Sequence, residues 1–541
     1  KLWQIGVDFG TSSTMIYQRN AVDGSVPLVF HPNLFEVTKQ ELTDLQTYRN
    51  FIPSQMEMNQ PGSFLSIFQL LNDNALKGVN PLVRPLQDGN VFLLPDAEGD
   101  EATDFKNNTG KIDANLKWQG DQKGRLKVAA YIKQVCLQGL AEAAKDGADS
   151  VLWNFSYPTA FSAAQAMTFK TTCQKAVSEI MADSGFAVDG KIPEYWPESK
   201  AGAYYFGNLT AVGFAGGAIC MDIGAGTTDV SVISGKPARI VYHTSFKFAG
   251  RSLFNPIYKN YKLFRPPLDV NQMNEEQQNA MIDADMRKHS DEYLEALPSK
   301  TGDPKIEKVL QTAQFAVAGI FYYVGGIIGV LREKGIYHGD KLPRVYVGGN
   351  GSRIFPWICG GVFEAENPYM VVFRDMLTKT SGLSDCKGYS LILSKTPKTE
   401  VACGMIGDTP PHHATFFDEV KIATDLFGND GLDPLIANSM FAGDNFACEE
   451  KNHEKTTFIS AYHISKGVDI DSADELAAFA DKFNDKKHTI WGRKIAIGTD
   501  ALTNTALAVD NIFLNQAGLN PDDIFVEPIF ILELKKFLET C

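Results

Sequence analysis

Clustered cysteines are missing from this chain. Its eight cysteines are scattered over 541 residues, with no CxxC pair and no close grouping with histidine. Disulfide frameworks and structural zinc sites need closely spaced ligands or paired cysteines, so the sequence disfavours both. Scattered, reduced thiols are typical of the cytosol, and we expect a cytoplasmic protein.

Positive charge is also in short supply. The chain has 51 lysines and arginines against 65 aspartates and glutamates, which gives a formal net charge of −14 and a pI near 5.2. Duplex nucleic acids are bound through basic surfaces that neutralise their phosphates. The composition therefore argues against a nucleic-acid partner.

Long apolar runs are rare, and one could be mistaken for a membrane span. Residues 315–331, FAVAGIFYYVGGIIGVL, form an uncharged run of 17 residues, which is at the lower limit of about 17 for a spanning helix. The run continues a polar, helix-like lead-in and contains four glycines and two tyrosines. We expect a helix buried in a large α/β domain and no membrane span, with a membrane or partner-facing segment as the alternative.

Two common nucleotide-binding patterns are absent. The sequence has no G-x-x-x-x-G-K-[ST], which excludes a Walker-type P-loop. Neither of its two main glycine turns reads G-x-G-x-x-G, which disfavours a Rossmann dehydrogenase. Any binding of phosphates must therefore use another kind of loop.

Two stretches share a strand, turn and strand pattern. Residues 218–234, AICMDIGAGTTDVSVIS, form an apolar strand that ends at Asp222, a glycine turn, two threonines and a second apolar strand. Residues 5–14, IGVDFGTSST, repeat this pattern around Asp8. Glycine turns let backbone N–H groups approach an anion, and a carboxylate at the strand end can hold a metal or a water. The pair predicts two hairpins that grip one phosphate chain, although each alone could be a structural turn.

Two further motifs lie beside these hairpins in the sequence. Glu198 heads a helix with small residues, where an acid can have a functional role or only complement the helix dipole. Residues 344–354, RVYVGGNGSRI, predict a strand, a glycine turn and a helix start at Ser352 and Arg353. Bare backbone and an arginine plane suit an adenosine, although a plain turn would read the same way.

Five segments, of which the last is EVACG at residues 400–404, occur in the order found in the actin-like ATPase superfamily of actin, sugar kinases and DnaK-type chaperones. The chain resembles this superfamily, and most closely the DnaK-type ATPase domain. They are IGVDFGTSST, ESKAGAYYFG, MDIGAGTTDVSV, VGGNGSRI and EVACG. The resemblance implies an α/β, two-lobed actin-like ATPase fold of duplicated ribonuclease-H-like domains. The first lobe would span residues 1–210 with an insertion at about 20–121, and the second residues 211–408 with an insertion at about 255–300. Residues 409–541 would form a C-terminal extension of unknown role, without a recognisable peptide-binding domain.

The resemblance also implies a site for ATP or ADP with Mg²⁺. Asp222, Glu198 and Asp8 would be catalytic, with Asp8 and Asp222 holding Mg²⁺ largely through water. Nucleotide contacts would come from Gly10, Thr11, Ser12, Ser13, Gly224, Gly226, Thr227, Thr228, Gly250, Gly348, Gly349, Ser352 and Arg353. A lysine at the γ-phosphate would complete the site, and Lys111 and Lys117 are the candidates.

Three functions fit such a scaffold. We expect a slow Mg-dependent ATPase of the DnaK-type class, whose lobe closure is coupled to a protein partner. A filament-forming homologue such as MreB or ParM is the first alternative, and it predicts assembly on addition of ATP. A small-metabolite kinase is the second, and it requires a catalytic aspartate in the second half that the sequence does not reveal.

Overall fold

The structure is a computed structural model. It describes residues 1–20, 24–31, 33–41, 44–52, 61–70, 89–91, 112–113, 115–119, 122–184, 193–209, 214, 216–236, 238–260, 282, 285–286, 289–295, 302–333, 335–359, 368–407, 474–485, 494–516 and 527–541.

The described residues form sixteen strands, numbered in chain order. They are β1 (Leu2–Phe9), β2 (Ser13–Asn20), β3 (Gly24–Pro27), β4 (Asn33–Glu41), β5 (Asp44–Ile52), β6 (Ser63–Leu65), β7 (Phe68–Leu70), β8 (Gly89–Val91), β9 (Ile112–Asp113), β10 (Ser150–Tyr157), β11 (Glu194–Pro197), β12 (Ala218–Ile223), β13 (Thr228–Ser234), β14 (Arg239–Phe246), β15 (Arg344–Gly348) and β16 (Leu391–Leu393).

The helices are numbered in the same way. They are α1 (Gln122–Lys145), α2 (Ala163–Ser184), α3 (Glu198–Leu209), α4 (Gly250–Leu253), α5 (Asn255–Lys259), α6 (Ser290–Glu295), α7 (Pro304–Glu333), α8 (Phe355–Ile358), α9 (Pro368–Ser381), α10 (Glu400–Ile406), α11 (Asp474–Phe483), α12 (Thr499–Gln516) and α13 (Ile529–Thr540). Two 3₁₀ helices span Leu116–Trp118 and Asn350–Ile354.

The two large sheets have the same strand order. In the first, the order is β3-β2-β1-β10-β11, and β6 adds to β2. In the second, it is β14-β13-β12-β15-β16. In both sheets, the first three strands in chain order pair antiparallel in succession. The fourth strand pairs parallel with the first, and the fifth pairs parallel with the fourth. Each sheet is thus the sheet of a ribonuclease-H-like domain.

The helices repeat in equivalent positions. In the first lobe α1 precedes the fourth strand, α2 follows it, and α3 follows the fifth; in the second lobe α7, α9 and α10 take these places. Parallel strands need such crossover helices, which cover the sheet faces. The duplication confirms the two-lobed actin-like fold, with the chain returning through α10 to the first lobe.

The apolar run at residues 315–331 lies in the long helix α7. By length and composition Pro304–Arg332 could cross a membrane, but its most apolar 18-residue window is entirely buried. The phenyl ring of Phe315 packs against Phe479 and Phe483 of α11 and Phe537 of α13, with centroids 4.7 to 5.8 Å apart. The predicted buried helix is confirmed, and part of its cover comes from the C-terminal helices.

Several predictions concern residues outside the described ranges. Lys111 and residues 408–473 belong to this group, together with most of the segments predicted as insertions. Of the insertion predicted at about 20–121, the structure describes an antiparallel pair β4–β5 and a small sheet β8-β7-β9.

Candidate functional site

The first hairpin, β1–β2, brings Asp8 to the end of a buried strand. In its antiparallel register Asp8 lies opposite Met15, and the turn between them spans residues 10–13. A Cβ at Gly10 would overlap with the backbone carbonyl oxygen of Ser13 and would lie 2.5 Å from the Lys398 Nζ, so only glycine fits there. The Oγ of Ser13 is buried and has no hydrogen-bond partner. A buried polar atom of this kind calls for a partner, and a phosphate oxygen would provide one.

The second hairpin, β12–β13, has the same register and the same turn length. Asp222 lies opposite Asp229, and the N–H of Gly224 donates to the carbonyl of Thr227 at 2.9 Å. The turn is held by α4, since the N–H of Gly250 donates to the Gly224 carbonyl at 2.9 Å. Gly226 is partly exposed, and it is this turn that faces the first lobe.

Two of the predicted nucleotide contacts have hydroxyls committed to the fold. Thr228 donates to the carbonyl of Phe248 at 2.6 Å, and Ser352 donates to that of Gly349 at 2.7 Å. Both side chains are buried. These hydroxyls shape the two turns, and their backbone remains the part suited to a ligand.

Three glycine segments of the second lobe meet backbone to backbone. Gly349 has a φ of 78°, and a Cβ on it would overlap with Asp222. A Cβ on Gly351 would lie 2.8 Å from the carbonyl oxygen of Ile223, and one on Gly250 would lie 2.9 Å from that of Gly224. Side chains would push these segments apart, so the sequence GGNG is required by close packing. The predicted adenosine turn therefore adjoins the second hairpin, with Arg353 half-buried at its end.

The two hairpin turns touch across the cleft between the lobes. A Cβ on Gly226 would lie 2.5 Å from the Oγ1 of Thr11. That oxygen accepts a hydrogen bond of 3.0 Å from the indole Nε1 of Trp118, which lies under the Lys247 ammonium at 4.3 Å from the ring centroid. Lys247 belongs to the second lobe, so this stack joins the lobes beside the turns.

An ion pair lies in the floor of the cleft. The Nζ of Lys117 is 2.5 Å from the Oε1 of Glu198, and both side chains are buried. Lys117 was one of the two candidates for a phosphate-binding lysine, and the structure pairs it with the predicted catalytic glutamate. Glu198 is the first residue of α3, as expected.

Glu400 is a carboxylate that the sequence did not single out. It begins α10 as Glu198 begins α3, so the two glutamates hold equivalent positions in the two lobes. It is fully buried; its Oε2 accepts from the N–H of Gly349 at 3.4 Å, and its Oε1 has no hydrogen-bond partner.

Lys398 is the residue that sequence reasoning missed. Its Nζ lies 2.5 Å from the Oδ2 of Asp8, and the Oγ of Ser156 donates to the other oxygen at 2.8 Å. Lys398 is 390 positions away from Asp8, in the segment that joins β16 of the second lobe to α10, which packs on the sheet of the first lobe. One signal could have marked it: a lysine two residues before a helix start is at the end where the dipole disfavours a cation.

The carboxylates of the cleft perturb one another. Burial raises the pKa of Asp222 well above its usual range, and the neighbouring Glu400 adds to this effect. Burial and Glu198 act in the same way on the pKa of Asp229. For Lys398, burial favours the neutral amine, but Asp8 and Asp222 outweigh it and raise the pKa. An excess of acids thus surrounds few cations, an arrangement that favours binding of an additional cation.

The lobes are joined where α3 crosses α10. Gly404 lies against the backbone of Ala201, and a Cβ on Gly404 would overlap with that carbonyl oxygen. The start of α3 is also tied to the second lobe, because the Oγ of Ser231 donates to the carbonyl of Ser199 at 2.9 Å. The two lobes are therefore in direct contact at this crossing.

The described part of the chain offers no cluster for direct ligation of a metal ion. Within the described residues no three histidine, cysteine, aspartate or glutamate side chains lie close enough together to hold a metal ion. Magnesium keeps several waters when few carboxylates reach it, so Asp8 and Asp222 fit an indirect contact.

Comparisons with known proteins give structural neighbours without a family. No protein-family model and no curated protein matches the chain. The double-helical filament of MamK matches with a TM-score of 0.37 at 15% identity, over 75% of this chain and 98% of that one. MreB5 of Spiroplasma citri bound to ADP matches with a TM-score of 0.33 at 15% identity, over 75% and 95%. EutJ of Carboxydothermus hydrogenoformans matches with 0.31 at 14% identity, over 75% and 89%.

These scores are low, so the fold assignment rests on the duplicated strand order of the two sheets. None of the comparisons supports the closeness to DnaK-type chaperones that the motifs suggested.

Proposed function

We propose that the chain binds ATP with Mg²⁺ in the cleft between its lobes and hydrolyses it slowly. One observation carries the proposal: two hairpins with the same register and turn length, each with a carboxylate at the strand end, meet turn to turn across that cleft. Backbone N–H groups at such turns suit phosphate oxygens. The glycine turn at residues 348–351 packs on the second hairpin and suits the adenosine.

In this proposal residues 10–13 and 224–228 hold the phosphates from opposite sides. Since the turns are in contact, entry of a nucleotide requires the lobes to rotate apart at the crossing of α3 and α10. Glu198, fixed by Lys117, orients the attacking water. Phosphoryl transfer depends mainly on positioning and on charge neutralisation, which these groups supply.

Magnesium would reach the site with the nucleotide and would neutralise phosphate charge there. Asp222 is the better placed of the two predicted holders because it is partly exposed, whereas both oxygens of Asp8 already accept hydrogen bonds. Asp8 and Asp222 would contact its water shell.

What lobe closure drives is a finer question. MamK was solved as a double-helical filament, so assembly is the first output to test. Light scattering of the purified chain after addition of MgATP would detect filaments. A flat signal at concentrations where ATP binds would leave the chaperone-like and kinase outputs.

Hydrolysis is tested by phosphate release from MgATP with no acceptor present. We expect slow turnover by the natural chain and none by Asp222→Ala. Asp340→Asn, which removes an exposed carboxylate distant in sequence from both hairpins, is the control and should match the natural rate. Equal rates for Asp222→Ala and the natural chain would contradict the catalytic role of Asp222.

A further inference from the structure

Lys398 has a backbone conformation that a lysine rarely adopts. Its φ is 84°, and it is the single non-glycine residue with positive φ in the described part of the chain. This conformation is strained for a residue with a Cβ, and such strain is concentrated at functional sites. The side chain is also buried, at 9% exposure. The fold therefore maintains an unfavourable backbone in order to direct this ammonium into the cleft.

The ammonium of Lys398 lies directly against the first hairpin turn. A Cβ on Gly10 would be 2.5 Å from its Nζ, and the Asp8 Oδ2 is also 2.5 Å away. Lys117, the other buried lysine of the cleft, is paired with Glu198. Of the two, Lys398 is the one placed at a phosphate-binding turn.

The order of the turns fixes which phosphate this cation would meet. The adenosine turn touches the second hairpin through Gly351 and Gly224, and the second hairpin touches the first through Gly226 and Thr11. A nucleotide that follows this order extends its phosphates towards residues 10–13. Its terminal phosphate then arrives beside Lys398.

We propose that Lys398 binds the terminal phosphate of the nucleotide, exchanging its contact with Asp8 for one with the phosphate. The inference rests on the proposed function, since it presumes a nucleotide in the cleft. Diphosphate and monophosphate would lack this contact.

The test compares the affinities of the full chain for MgATP and for AMP by calorimetry. A charged hydrogen bond contributes about 1.5–3 kcal/mol, so Lys398→Met should weaken ATP binding by roughly 10- to 100-fold. Binding of AMP should change by less than about threefold, because AMP does not reach this lysine. Lys395→Met removes an exposed lysine of the same loop and should alter neither affinity.

Equal weakening of ATP and AMP, or no weakening, would overturn the assignment of Lys398. A natural chain that binds neither nucleotide would instead refute the proposed function itself. Should Lys398→Met fail to fold, the affinities of the natural chain for MgATP and MgADP decide the matter. MgATP should bind at least about 10-fold more tightly, because only its terminal phosphate reaches this lysine, and equal affinities would contradict the proposal.

Discussion

Removing Lys117 from its pair with Glu198 gives the sharpest test of the cleft electrostatics. The two side chains are 2 and 7% exposed, and their charged atoms are 2.5 Å apart. Breaking a buried pair by removing one partner typically costs about 3–5 kcal/mol, because the other charge is left without compensation. We therefore expect Lys117→Met, which keeps the side-chain volume, to lower the free energy of unfolding by about this amount near neutral pH.

The double variant Lys117→Met with Glu198→Gln should recover most of that loss, since no buried charge remains. Urea denaturation of the four chains measures the coupling. The loss in Lys117→Met should also be larger at pH 8 than at pH 5. Burial raises the pKa of Glu198 and Lys117 lowers it. Without the lysine, the folded chain binds a proton at Glu198 more strongly than the unfolded chain does, so its stability falls as the pH rises and that proton is lost. A loss below about 1 kcal/mol, or one independent of pH, would refute this reasoning.

Three other substitutions test the cleft and the crossing of α3 and α10. Gly226→Ala places a methyl group 2.5 Å from the Thr11 Oγ1, so small-angle scattering should show the lobes further apart. The control Gly498→Ala, at a position where nothing lies within 4 Å, should leave the scattering profile unchanged. Gly404→Ala should lower the free energy of unfolding in urea by about 1–3 kcal/mol through overlap at the helix crossing, while Gly202→Ala, with no neighbour in reach on α3, should not. Burial lowers the pKa of Lys247 from 10.5 to about 8, so between these pH values the unfolded chain binds more protons than the folded chain. The free energy of unfolding, measured relative to that of Lys247→Met, should therefore rise by up to about 3 kcal/mol from pH 8 to pH 10.5.

Local patterns predicted most of the elements near the site. The strands around Asp8 and Asp222, the helix headed by Glu198 and the turn at Gly348 lie where the motifs placed them, with ends shifted by a few residues. Glycine turns between apolar runs are local signals that depend on nearby backbone geometry alone. That the two hairpins face each other was predicted from the repetition of one sequence pattern around Asp8 and Asp222.

Contacts between distant segments could not be predicted in the same way. The position of Lys398 beside Asp8 depends on a left-handed backbone residue and on how α10 returns to the first lobe, and neither leaves a periodic signal. The packing of Phe479 and Phe537 on Phe315 likewise depends on tertiary structure, since the C-terminal helices show only that they have an apolar face.

The C-terminal helices also reach the edge of the cleft. The carboxylate of Glu527 accepts from the backbone N–H of Lys247 at 3.1 Å, and the ammonium of that lysine covers Trp118. The last segment of the chain thus contacts Lys247, a member of the stack that joins the lobes. This contact had no counterpart in the sequence motifs.

Photolabelling with 8-azido-ATP in the presence of Mg²⁺, with mapping of the labelled peptide, locates the bound nucleotide. We expect label that MgATP displaces in the peptide containing residues 348–353, because the adenosine turn lies there. Label confined to other peptides, or label that MgATP does not displace, would contradict nucleotide binding in the cleft between the two hairpins.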